Sequence, residues 1–164
     1  MIPLEITAEL RGPITGAPNL DGLLASVVAQ ELGLVAEISA WQDIDIPLEK
    51  EPGGRFHLAS SAIATWDQHE TRFVNQKFPL AEAQSVGDSR VKRIKITEGR
   101  CKSYRIPGAV AHAEGDGITW YAMGDPAKIE ALLSCVTHLG KKRGVGRGAV
   151  AAWRVVRCVP WGKS

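Results

Sequence analysis

Apolar and polar residues alternate from Ile2 to Arg11, with Leu4, Ile6, Ala8 and Leu10 on one side, which predicts a half-buried strand. Gly12, Pro13, Gly16 and Pro18 break it. Asn19 or Asp21 then caps a helix whose apolar positions include Leu23, Leu24, Val27, Val28 and Leu32, ending near Gly33. Residues 37–55 read as an irregular acidic connection closed by Pro52-Gly53-Gly54, and Phe56–Ser60 as a short strand. From Ser61 to Pro79 neither period fits. Val91–Ile96 alternates Lys92, Arg93 and Lys95 with Val91, Ile94 and Ile96, predicting a basic strand that returns across Gly99 as Lys102–Ile106. Gly117–Met123 is a further strand. Asp125-Pro126 opens a helix, with Asp as cap and Pro in the first turn, and Ile129, Leu132, Leu133 and Val136 continue it until Gly140. Ala149–Val159 is the last strand.

The order strand, helix, central strands, strand, helix, strand predicts an α+β, ferredoxin-like (RRM-like) β-α-β-β-α-β domain with a large central insertion and a Gly-rich loop before its last strand. Its sheet would be antiparallel, with helices on one face. A chain of 164 residues fits one such domain, 1–164, with residues 37–116 containing the inserted loops and a basic hairpin. No apolar run is long enough to span a bilayer and the start of the chain lacks the regions of a signal peptide, so no membrane partner is expected. Cys101, Cys135 and Cys158 are odd in number with no C-x-x-C, which points to a reducing, cytoplasmic setting.

Charge changes the picture. Residues 1–89 carry 5 basic and 13 acidic side chains, whereas residues 90–164 carry 15 basic and 5 acidic. Such asymmetry points to a polyanion on one face and a basic neighbour on the other. The most informative stretch is Gly140-Lys-Lys-Arg-Gly-Val-Gly-Arg-Gly148. Glycines let another backbone approach closely, and arginine forks grip phosphate. A mononucleotide loop would follow a strand and open a helix, with a G-x-x-x-x-G-K-[ST] pattern; this loop follows a helix and enters a strand. Nucleic acid is therefore the favoured polyanion. The candidate phosphate contacts are Lys141, Lys142, Arg143 and Arg147, in a loop shaped by Gly140, Gly144, Gly146 and Gly148. Lys92, Arg93, Lys95, Arg100 and Lys102 form a second strip, with Arg72 and Lys77 as weaker candidates.

The run Met123-Gly-Asp-Pro-Ala-Lys-Ile-Glu-Ala-Leu-Leu133, then His138-Leu-Gly-Lys-Lys-Arg-Gly-Val-Gly-Arg-Gly148 and Trp153-Arg-Val155, resembles the RAMP superfamily of CRISPR-associated proteins. The first strand with Asn19-Leu-Asp-Gly-Leu-Leu-Ala25 is similar to the start of the same family. Within it the likeness is to the small RAMP subunit of type IV complexes. The resemblance implies a guide-RNA (crRNA) binding subunit that caps the 5′ handle, contacts neighbouring backbone RAMP subunits and a large subunit, and meets target nucleic acid only indirectly. It implies no cofactor.

Some RAMP proteins cleave the guide precursor without metal, so an endoribonuclease is the alternative, drawing on His57, His69, His112, His138, Tyr104 or Tyr121. His57 and His69 lack a completing zinc pattern, and no metal is expected. A third reading is a small-molecule domain whose basic loop binds a phosphorylated ligand. Trp120 and Trp153 are expected in the core, Trp66 as the base-stacking candidate, and Trp161 at a subunit interface.

Overall fold

The computed structural model describes residues 1–34, 44–76, 104–113, 117–141 and 143–158. The chain divides into two compact units, Met1–His69 with Val110–Ser164, and Glu70–Ala109. Its elements are β1 (Ile2–Leu10), α1 (Leu20–Glu31), β2 (Trp66–Gln76), β3 (Tyr104–Ala113), β4 (Ile118–Gly124), α2 (Pro126–Ser134) and β5 (Val150–Arg157). No helix among the described residues is long and apolar enough to cross a membrane.

The first unit is an α+β layer built on an antiparallel sheet of order β4-β1-β5. Alternation along β1 puts Leu4, Ile6 and Ala8 on one face. Ile6 lies between Trp120 of β4 and Val155 of β5, and Ala8 is registered with Ile118 and Trp153. These residues join Leu20, Leu23, Leu24 and Val27 of α1 and Ile129 and Leu133 of α2 in one core. Burying large side chains such as these, each contributing about 1.5–3 kcal/mol, is what fixes the two helices on the sheet. Beyond β4 the sheet is extended by an irregular edge. Ala59 bridges Ala122 and Ile63 bridges Thr119, while Ser60 N–H donates to the Tyr121 carbonyl at 2.8 Å. The predicted strand Phe56–Ser60 is thus a run of isolated bridges.

Asp125 caps α2 as its sequence predicts, accepting through Oδ1 from the N–H groups of Ala127 (3.1 Å) and Lys128 (3.3 Å). Asn19 occupies the N-cap of α1 without a side-chain cap bond. Two expectations are corrected. Helix α2 ends at Ser134 rather than Gly140, because residues 137–139 pair with the start of β5: Val150 N–H donates to Thr137 and Leu139 N–H to Gly148. The segment that fits no period contains an 11-residue strand, β2. Among the described residues β3 pairs with β2. Residues 91–96 lie outside the described residues.

Candidate functional site

The Gly-rich stretch is the tip of a short hairpin. Leu139 N–H donates to the Gly148 carbonyl at 2.8 Å, His138 bridges Ala149, and between them the described residues 140–141 and 143–147 form a loop with a 3-10 turn at Arg143–Val145. Its two outer glycines differ in role from its two inner ones. Gly148 sits at φ +66°, and a Cβ there would lie 2.0 Å from the Leu139 carbonyl oxygen. Gly140, at φ +73°, would put a Cβ 2.4 Å from the Gly16 oxygen and 2.6 Å from that of Thr15. No side chain fits either position. Gly144 and Gly146 have nothing within 4 Å of where a Cβ would stand, so the middle of the loop borders open space.

The loop root is bound to the connection between β1 and α1. Lys141 N–H donates to the Thr15 carbonyl at 2.8 Å, and Gly148 N–H to that of Pro13 at 2.9 Å. Arg147 completes this attachment. It is only 5% exposed, and its Nη1 donates to Thr15 Oγ1 at 2.9 Å. The sequence predicts Arg147 as a phosphate contact; its guanidinium is instead turned inward as a strut. Lys141 and Arg143 are exposed.

Between this loop and α1 runs a groove. One part, of about 470 Å³, is bounded by Gly16–Asn19, Asp21, Leu23 and Ser26 on one side and His138, Gly140, Lys141 and Arg143 on the other. A second part of about 310 Å³ shares Leu23, Ser26, His138 and Arg143 and continues toward Cys135–Thr137. Two core tryptophans hold the two walls. Trp120 Nε1 donates to the Pro18 carbonyl at 3.1 Å, Trp153 Nε1 donates to that of Val136 at 3.0 Å, and their rings lie 6.1 Å apart. The groove is therefore preformed by the core. His138 stands at its edge with Nδ1 3.0 Å from Thr137 Oγ1, and the Asp21 carboxylate at its mouth accepts from Gly22 N–H at 2.7 Å.

Two other cavities are lined by neither Lys141 nor Arg143. One of about 480 Å³ against Val28 and Leu132 has Glu31 and Asp45 with Lys128 at its rim. Another, on the sheet's opposite face, is lined by Pro3, Leu58, Tyr121 and Met123. There Glu5 raises the Tyr121 hydroxyl above the ordinary tyrosine range, chiefly through its negative charge, with burial adding to the shift.

The structure thus brings Gly140, Lys141, Arg143, Gly144, Gly146, Arg147 and Gly148 together, with Lys141 and Arg143 exposed and the glycines shaping the arc. Lys142, Lys92, Arg93, Lys95, Arg100 and Lys102 lie outside the described residues, as do Lys77 and Trp161. Arg154, on β5, is paired with Glu9 (2.6 Å) on the sheet face. Arg72 is paired with Glu70. Trp66 packs against the core rather than standing free for a base. Sequence reasoning missed Thr15 and Asn19, whose signal lay only in the broken Gly-Pro run that the loop root rests on. No family model matches the chain, and no curated protein matches it significantly.

Proposed function

We propose that this chain is a non-catalytic guide-RNA-binding subunit of a type IV CRISPR ribonucleoprotein, built on a ferredoxin-like domain, that caps the 5′ handle and contacts neighbouring backbone and large subunits. One observation carries the reading: the Gly-rich arc is rooted by Gly140 and Gly148 against the β1–α1 connection, while Lys141 and Arg143 are exposed beside a preformed groove. A single-stranded backbone laid along that arc meets two cations. Gly144 and Gly146 offer it main chain without side-chain obstruction, the arrangement suited to phosphates in a bent strand. The adjoining groove has an apolar floor at Leu23 and polar edges at Asn19, Ser26 and His138, which suits a base splayed from the stack.

The ferredoxin-like part of the proposal is supported by strand order. A β-α-β-β-α-β sheet has its first strand between the last and the third, with the second strand at the far edge of the third. Here β1 lies between β5 and β4, and the bridged residues 59–63 flank the far edge of β4. The hairpin strands then belong to the insertion. The acidic first half of the chain is left for subunit contacts.

The test is sequencing of RNA that co-purifies when the chain is co-expressed with its neighbouring subunits and a CRISPR array. One uniform species with a defined, repeat-derived 5′ end is expected. Random cellular RNA, or none, would sink the proposal.

A further inference from the structure

The second unit, Glu70–Ala109, contains nine basic and four acidic residues. Inside it the guanidinium of Arg105, on β3, lies over the ring of Phe73, on β2, at 4.1 Å from the centroid. Both residues are exposed, Phe73 to 50%. The neighbouring Arg72 projects to the other face of the strand, as alternation requires, and is engaged by Glu70. A large aromatic residue left half in water on a two-stranded ribbon forgoes its own burial. Here it also carries a flat cation on its face, so that ring and guanidinium make a planar, positively charged platform rather than part of a core.

From this geometry we infer that Phe73 and Arg105 form a stacking platform for a base of single-stranded nucleic acid, separate from the Gly-rich arc. Every base has a π-face that stacks on phenylalanine or on an arginine plane, and the unit's excess of basic over acidic residues in its sequence suits the phosphates that accompany a base. An apolar protein partner would be served by the ring but not by the net positive charge of the unit's sequence. The inference rests on the nucleic-acid reading of the chain, yet its site, residues and energetic signature are its own: stacking is insensitive to salt, whereas phosphate contact is not.

The experiment uses the full chain and a single-stranded RNA carrying 2-aminopurine at successive positions, with duplex RNA as control. Phe73→Ala should weaken single-strand binding roughly 5- to 150-fold, the range for loss of one stacked base. It should leave the salt slope unchanged and restore 2-aminopurine fluorescence at one position. Phe73→Tyr should retain both affinity and quenching, and Arg105→Ala should lose part of each. Because both side chains are exposed, these variants are expected to melt with the parent. Unchanged affinity and quenching in Phe73→Ala, with binding still lost on neutralising Lys141 and Arg143, would overturn the platform and leave the loop reading standing. The converse pattern would support the platform and sink the loop. Absence of single-strand binding by the parent chain, or loss of only a protein partner in Phe73→Ala, would also overturn it.

Discussion

Replacing Gly148 by alanine tests whether the Gly-rich arc is held by its root. The new Cβ would stand 2.0 Å from the Leu139 carbonyl oxygen, well inside any contact distance, and the opposing atom is backbone that cannot swing aside. The residue also sits at φ +66°, where an L side chain costs about 1–2 kcal/mol. Relieving the overlap means parting the strand segments that meet there. That move breaks the bond from Leu139 N–H to Gly148 (2.8 Å) and the bond from Gly148 N–H to Pro13 (2.9 Å), each a net contribution of about 1 kcal/mol. The sum is about 3–4 kcal/mol, a large part of the stability of an ordinary domain. For a chain of this size it corresponds to a fall in Tm of roughly 6–16 °C. Gly144→Ala is the internal control, since nothing stands within 4 Å of its Cβ position and its φ is not positive. It should melt within about 0.5 kcal/mol of the parent, or slightly above it. Urea titrations followed by tryptophan fluorescence measure both. If Gly148→Ala unfolds with the parent, the arc is not anchored where the geometry has it, and the groove beside it is not preformed.

Neutralising Lys141 and Arg143 together with glutamine should weaken single-stranded RNA binding and flatten the slope of log K against log salt by about 1.4, or about 0.7 for each lost phosphate contact. A slope unchanged by the double variant would count decisively against the loop. Arg147→Gln should behave oppositely: it removes the buried bond to Thr15 and should cost about 1–3 kcal/mol in urea denaturation, with little change in the salt slope. On the sheet face, Glu5→Gln should lower the midpoint of Tyr121 ionisation, read by ultraviolet titration. A raised tyrosine pKa favours the folded state fully below the unfolded value, and that contribution fades as pH climbs through the folded one, so the parent should lose more stability above about pH 10 than Glu5→Gln does. A Tyr121 midpoint that Glu5→Gln leaves in place would show that the carboxylate is not its neighbour in solution.

The elements that hydrophobic period could predict are those with one buried face. Strand β1 alternates because Leu4, Ile6 and Ala8 meet the helices, and α1 repeats because Leu20, Leu24 and Val27 meet the sheet. The start of α2 was legible from chemistry alone, since Asp125 has two amide groups to cap and Pro126 has none to lose. Its end was not. Val136 falls at helical spacing and is buried, yet the backbone beyond Ser134 is claimed by β5, a partner that arrives later in the chain. Strand β2 was illegible for a different reason: in Trp66-Asp-Gln-His-Glu-Thr-Arg-Phe-Val-Asn-Gln76 polar residues occupy both faces, so no period survives to be read.

Charge in the loop was legible only in part, and for the same physical reason. A count along the sequence treats Lys141, Arg143 and Arg147 as equivalent, because each flanks glycine in a run without acids. Direction is a non-local property. Arg147 is turned inward by Thr15, 132 residues earlier, across a turn that the sequence marks only by its glycines and prolines. Arg147 therefore acts on stability through its bond to Thr15. A ligand that counts contacts, as counterion release does, will see fewer cations than the sequence holds.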